Sequence, residues 1–507
     1  MNRRNFLSSS IALSAASTLL PAWAQELDPY YTGFREGLKK QPALGAFANV
    51  SADVACASAR IEGKMPAALR GVLYRNGPAQ FERGGVRHHH WFEGDGMVQA
   101  YRFTDEGVNH TGKFVRTKKF KAEEKAGRLG YSVFGGKVKD PLPVTGPDSM
   151  NAANTNVFAI NNAVYALWEG GSAYELDPAT LNTKGPKAWA PEWAGMPFSA
   201  HPKVSPDGHV WNIGGGWNGD VAVYHINPQG QLVKAKLVKT PPTAMLHDFL
   251  ITENYVVMVL SSAKFDSKAM ANGEGMAAAM RPDTVRPMKV ITLSKNNLDE
   301  RKEYDLPNGF VFHFGNAYET RTGQIMFDYV RFDSASIMSD NMTAMMKGDT
   351  SKDFRIASRS QAMMVTLDPK TGKASQAAIF NRMVEMPRID PRFVGSRHQY
   401  VFHTSAKETE LSERALGFAG ISRVDVHTGR TDAYDYGTDY VVEEHILVPK
   451  PRTTREGDGW LVGAAYNSKT QLTELAVFEA TALAAGPIAK VFLPYGLPIG
   501  FHGNFYA

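Results

Sequence analysis

One short unit recurs along this 507-residue chain and narrows its fold more than any other feature. Tyr174-Glu175-Leu176-Asp177-Pro178, Tyr224-His225-Ile226-Asn227-Pro228, Thr366-Leu367-Asp368-Pro369-Lys370-Thr371-Gly372 and Arg423-Val424-Asp425-Val426-His427-Thr428-Gly429 share one form. A strand of β-branched or aromatic residues runs into Asx-Pro or a Thr-Gly turn, and a second strand follows. Asx side chains accept backbone N–H bonds in such turns and glycine supplies positive φ, so each unit is a β-hairpin with a chemical reason to turn. The units recur at intervals of about 50–75 residues, room for a four-stranded blade with insertions. Helical periodicity is scarce. The pattern predicts an all-β fold with radial repetition, a β-propeller.

Two segments break the rhythm. Residues 262–290 and 335–347 are rich in Met, Ala and Ser, and we expect helical or irregular insertions lying over the propeller. Methionine is a flexible filler of apolar gaps. Such insertions serve either as packed caps or as walls of an access path for a lipophilic molecule.

Composition then excludes several chemistries. Cys56 is the only cysteine, so no internal disulfide, iron–sulfur cluster or thiolate zinc site can form. Any metal must be held by His and carboxylates. Net charge is +5, with no Lys/Arg-rich run, which argues against a nucleic-acid partner. Arg3-Arg4, an apolar stretch and Ala22-Trp23-Ala24 read as a twin-arginine type signal peptide over 1–24. A single domain over 25–507, delivered to the periplasm or beyond, is the expectation.

Most of the 14 histidines have ordinary readings. The run His88-His89-His90 is unsuited to one metal, because neighbours on a strand face opposite sides. His110, His209, His225, His398, His403, His427 and His445 read as solvated or capping residues. Four others, His201, His247, His313 and His502, sit within apolar or aromatic stretches beside small or turn-forming residues. Each alone reads more readily as a hydrogen-bonded core residue than as a ligand. They are far apart in sequence, yet a propeller sends the inner strands of distant blades to one axis.

Tyr74-Arg75-Asn76-Gly77-Pro78, then His90-Trp91-Phe92-Glu93-Gly94-Asp95-Gly96-Met97, closely resemble the signatures of carotenoid cleavage oxygenases. Asn154-Thr155-Asn156, Ala166-Leu167-Trp168-Glu169-Gly170-Gly171, and the segments around His201, His247, His313 and His502 match the same family in the same order. The resemblance runs from about residue 50 onward. It implies a seven-bladed propeller with a helical dome over its top face, and one Fe(2+) per chain held by His201, His247, His313 and His502. It further implies three carboxylates behind those ligands, Glu169, Glu385 and Glu444, with Glu443 as a rival for the third place. Read without the family, each of these would be an exposed salt-bridge partner.

The implied reaction is cleavage of a C=C bond of a carotenoid or apocarotenoid with O2, giving two carbonyl products. Four neutral imidazoles leave iron its full charge, and a Glu on the far ring nitrogen fixes the tautomer and raises ligand basicity. Stilbene-cleaving relatives place a Lys immediately before the first of these Glu; this chain has Trp168 there, an apolar wall suited to a polyene. The alternatives are a stilbene or phenylpropanoid oxygenase on the same scaffold and a propeller that only binds. We expect a monomer acting on a small lipophilic polyene, touching a membrane peripherally at most.

Overall fold

The computed structural model describes residues 28–507 apart from 216–218, 243–244, 273, 282, 350–358 and 407–415. The leader expected over 1–24 lies outside the described residues. Seven antiparallel sheets follow one another along the chain as the blades of a ring. Blade 2 is formed by Asn156–Ile160, Ala163–Leu167, Tyr174–Leu176 and Thr183–Pro186, blade 3 by Lys203–Val204, Val210–Gly215, Asp220–Ile226 and Leu232–Lys239. Blade 4 holds Leu250–Ile251, Tyr255–Leu260, Met288–Ser294 and Arg301–Leu306, and blade 5 holds Phe310–Glu319, Ile325–Phe332, Ser360–Asp368 and Lys373–Ala378. Blade 6 comprises Met383–Arg388, Tyr400–Ala406, Gly420–Asp425 and Thr431–Asp435. The first-named strands of blades 4, 5 and 6 touch in turn around the axis.

The ring closes by strand exchange. Blade 7 takes Tyr440–Pro449, Gly459–Asn467, Leu472–Glu479 and Ala489–Phe492 from late in the chain and adds Arg60–Gly63 at its outer edge. Blade 1 takes Gly71–Gln80, Asp95–Thr104, Gly107–Phe114 and Val54–Cys56 from early in the chain, and Gly503–Tyr506 adds to it as the inner strand, with Val72 opposite Tyr506. Closure leaves no open edge between first and last blade.

The four hairpins read from sequence occupy one structural place, the turn from third to fourth strand in blades 2, 3, 5 and 6. Each turn is capped as the residue types require: Asp177 accepts from Thr180 N–H, Asn227 from Gln229 and Gln231, Asp368 from Lys370, and Asp425 from His427 and Thr428. Blades pack through apolar faces, as where Val257 and Val290 of blade 4 meet Phe314, Phe327 and Tyr329 of blade 5. Each such side chain, fully buried, contributes about 1.5–3 kcal/mol.

Both Met-rich insertions leave from the second-to-third strand connection, in blades 4 and 5. The first forms the short helices Ser267–Ala271 and Met276–Ala279; the second forms Ile337–Asn341 and Met342–Lys347. Against the last of these packs the helix Pro29–Lys40, whose start is capped by Asp28 accepting from Tyr31 N–H.

Candidate metal centre and cavity

His201, His247 and His502 each stand just ahead of the inner strand of their blade, and His313 lies within one. Blades 3, 4, 1 and 5 thereby deliver four rings to the axis. All four are buried, and one ring nitrogen from each lies within 4.8 Å of the other three. His247 Nε2 is 3.0 Å from the Nε2 of both His201 and His313. This cluster could hold a metal ion.

The opposite ring nitrogens face carboxylates. His247 Nδ1 contacts Glu169 Oε1, His313 Nδ1 lies 2.6 Å from Glu385 Oε2, and His502 Nδ1 lies 2.9 Å from Glu444 Oε1. Of the two adjacent glutamates it is Glu444 that touches a histidine. Glu443 turns instead to Arg75, at 2.5 Å, and accepts from Gly500 N–H. Each blade contributes one member of this set: His502, Glu169, His201, His247, His313, Glu385 and Glu444 for blades 1 to 7 in order. Glu385 and Glu444 are buried on the inner strands of blades 6 and 7, and the Glu169 side chain is only 14% exposed; none is the exposed partner that a reading without the family would have, because all three face the axis.

Local irregularity aims these side chains. Strand register shifts between Val311 and Phe314, between Glu385 and Arg388, and between Val442 and His445. His313, Glu385 and Glu444 sit at those three bulges, which re-aim side chains that a regular strand would direct elsewhere. Glu169 follows the second strand of blade 2, where Trp168 folds over Gly170. A Cβ there would come within 2.8 Å of the indole ring, so this position needs glycine. Trp168 itself is buried.

Trp168 and Glu169 belong to the wall of a cavity of about 220 Å3 that reaches His247, His313 and His502. Most of its other wall residues are apolar, among them Phe92, Phe134, Phe312, Met342 and Phe501, with Asn154, Thr155, Thr404 and the carboxylates Glu385, Glu443 and Glu444 among the rest. The second Met-rich insertion supplies Ile337, Met342 and Met345 to this lining. Among its described residues the first supplies none. Met276 and Met280 pack instead behind the wall, against Phe134, Phe310 and Phe312. One insertion thus lines the cavity while the other is a packed cap.

The family model described as retinal pigment epithelial membrane protein matches residues 47–507. The chain belongs to this family of carotenoid cleavage oxygenases. Apocarotenoid-15,15'-oxygenase of Synechocystis sp. is 31% identical over 467 residues, 88% of this chain and 92% of that protein. Resveratrol cleavage oxygenase 1 of Aspergillus fumigatus is 28% identical, covering 88% of this chain and 91% of its own. Among solved structures, a cobalt-substituted Synechocystis apocarotenoid oxygenase superposes with a TM-score of 0.82 at 28% identity, over 92% of this chain and 98% of that one.

In this family member the electrostatics around the four rings are uneven. Burial, reinforced by the neighbouring rings, holds His201 well below the ordinary histidine value, and burial brings His502 down to about 4 against the pull of Glu444. Both are neutral at pH 7, as a ligand must be. Burial works the same way on His313, but the Glu385 carboxylate outweighs it and raises that ring above its ordinary value. Glu444 is kept at about 2: burial pushes it up, and Arg388, His502 and Arg75 more than offset that.

Other residues fall where the sequence did not point. Arg75, fully buried, donates to the Glu444 carbonyl at 2.9 Å and pairs with Glu443. The sequence signal for it is its place inside the Tyr74-Arg75-Asn76-Gly77-Pro78 motif. His110, His398, His403 and His445, expected to be solvated or capping, are buried. They sit on or just before blade strands whose two faces are both covered by neighbours, so polar alternation there does not mean exposure. His445 is satisfied at both nitrogens, by Tyr436 Oη at 2.8 Å and the Glu443 carbonyl at 2.8 Å, and His110 Nδ1 meets Tyr495 Oη at 2.9 Å. In the triple run, His89 stacks on Tyr30 while His88 and His90 are buried, and none of the three joins the cluster.

Proposed function

We propose that this chain is an iron(II)-dependent dioxygenase that cleaves a C=C bond of an extended apolar polyene, of carotenoid or apocarotenoid type, into two carbonyl products. The observation that carries the substrate class is the cavity: aromatic and Met side chains wall the space beside His247, His313 and His502, and no Lys, Arg or Tyr is among its described lining residues. A phenolate ligand would want such a partner, and Trp168 offers only an N–H and an apolar face.

The donor set fits the metal. Four imidazoles of His201, His247, His313 and His502, three with a carboxylate on the far nitrogen, would hold iron(II) with tautomers fixed and basicity raised. Bound there, the ion would supply the activation of O2. The protein's own residues do the rest. Phe92, Phe312 and Phe501 give a rigid, narrow, water-poor corridor in which a linear conjugated chain lies against the centre. Polar groups at its edge are already engaged: Asn154 donates to the carbonyls of Phe92 and Gly94, and Thr404 to that of Glu385.

A resveratrol-cleaving relative at 28% identity keeps the stilbene reading as the second possibility. Incubation of purified, iron-loaded enzyme with a panel of apocarotenals and hydroxystilbenes, with products identified by mass, separates the two. A kcat/KM for a hydroxystilbene equal to or above that for every apocarotenal would replace the first reading by the second. We further propose a monomer exported through its twin-arginine leader, with no nucleic-acid partner and at most peripheral membrane contact. Among the described residues no helix is long and apolar enough to cross a membrane.

A further inference from the structure

Three of the clustered rings have a carboxylate in hydrogen-bond contact with Nδ1; His201 has none. The carboxylate nearest its Nδ1 is that of Asp248, with Oδ1 at 3.9 Å. That distance is within ion-pair range and beyond a hydrogen bond. Asp248 is 3% exposed, so its charge must be answered locally. Lys203 Nζ stands 2.7 Å from Oδ1, Phe249 N–H donates to the same oxygen at 2.7 Å, and Phe314 N–H donates to Oδ2 at 3.3 Å.

These partners follow a pattern. Lys203 is two residues from His201, Phe314 is adjacent to His313, and Asp248 itself is adjacent to His247. One carboxylate therefore ties together the segments of blades 3, 4 and 5 that carry three of the four rings. Glu444 does the corresponding work for the fourth: one of its oxygens meets His502 and the other accepts Gly503 N–H at 3.0 Å.

We propose that Asp248 is the fourth carboxylate of the centre, a positioning residue that holds His201 through its charge and cross-braces three ligand-bearing segments, with Lys203 as its counter-ion. The inference rests on the metal reading above. An Nδ1–H turned toward Asp248 leaves Nε2 for the ion, and the nearby negative charge makes that nitrogen a better donor, as an outer partner of a ligating histidine does.

The test uses cobalt(II) on the full metal-free protein, with affinity measured by chelator competition and the visible absorption of the bound ion recorded. Asp248→Asn keeps the shape, removes the charge, and is expected to weaken cobalt binding about 10–100-fold and to shift the absorption band. A residue with only a structural role would leave the band unmoved. Asp248→Glu keeps the charge and covers the case in which the Asn variant does not fold; it should bind within about threefold of wild type. Unchanged affinity and spectrum in Asp248→Asn, or a Glu variant that binds more than tenfold more weakly than wild type, would overturn the proposal. Failure of the wild-type protein to bind cobalt would sink the metal reading instead.

Discussion

His90 offers a test of how strongly this fold depends on keeping histidines neutral. The ring is fully buried between Phe92 and Phe134. Nδ1 accepts from Phe92 N–H at 3.2 Å, and Nε2–H donates to the Met338 carbonyl at 2.9 Å. Both nitrogens are satisfied in the neutral ring, and a second proton on Nδ1 would point at an N–H. Burial accordingly brings the pKa down to about 4, against about 6.5 in an unfolded chain. The unfolded state therefore binds the extra proton first as pH falls. The stability involved is fully present above pH 6.5 and is lost progressively between 6.5 and 4. From pH 7 to pH 5 the loss is about 2 kcal/mol, at about 1.4 kcal/mol per pH unit over the part of the window crossed. His90→Asn retains an acceptor for Phe92 N–H and does not titrate. Urea denaturation of wild type and variant at both pH values is the assay, since contributions from every other group cancel in the difference. Asn should cost about 1–3 kcal/mol at pH 7 for the lost bond and volume, and between pH 7 and pH 5 the variant should gain about 2 kcal/mol on wild type. A deficit unchanged by pH would refute the neutral-His90 account.

Three further outcomes are expected. Glu444→Gln should weaken metal binding or turnover about 10–100-fold, while Glu443→Gln should act mainly on stability through Arg75; chelator competition beside a melting curve distinguishes them, and the reverse pattern would exchange their roles. Removing residues 502–507 should give a metal-poor protein, read by metal content per chain, and a truncated protein with full metal would exclude His502 as a ligand. Trp168→Lys should raise turnover of a 4-hydroxystilbene relative to an apocarotenal, measured as a ratio of kcat/KM values, and an unchanged ratio would remove Trp168 from substrate selection.

Much of the architecture was legible because turns have local causes. Asp177, Asn227, Asp368 and Asp425 cap four hairpins through atoms a few residues away, so a short window suffices to find them. The ring's closure was not legible in that way, since Arg60–Gly63 pairs with Ala489–Phe492, and nothing in either strand names the other. The four clustered histidines stood out by apolar context, but their meeting point came from the family motifs. The carboxylates were harder still. Glu385 and Glu444 owe their direction to bulges, and a strand's alternation predicts the wrong face when an extra residue intervenes. Arg75 lies inside the Tyr74–Pro78 motif and Asp248 directly follows His247, yet their work depends on partners in other blades. The Met-rich insertions looked alike in composition and differ in role, because among the described residues only the one in blade 5 turns side chains toward the cavity.

The inner strand of blade 1 has a consequence for biogenesis. Gly503–Tyr506 pairs with Gly71–Gln80, so the ring is sealed only when a segment from late in synthesis docks onto one made early. His502 is carried by that same docking step, and Gly503 fits there because a Cβ would strike the Tyr74 carbonyl at 2.3 Å. Until that strand docks, the His502 ring cannot join the other three. A metal held by all four rings would therefore find its full ligand set only once the circle is complete. Occupancy of such a site would become a readout of topology, adding stability only to chains in which these two strands have met.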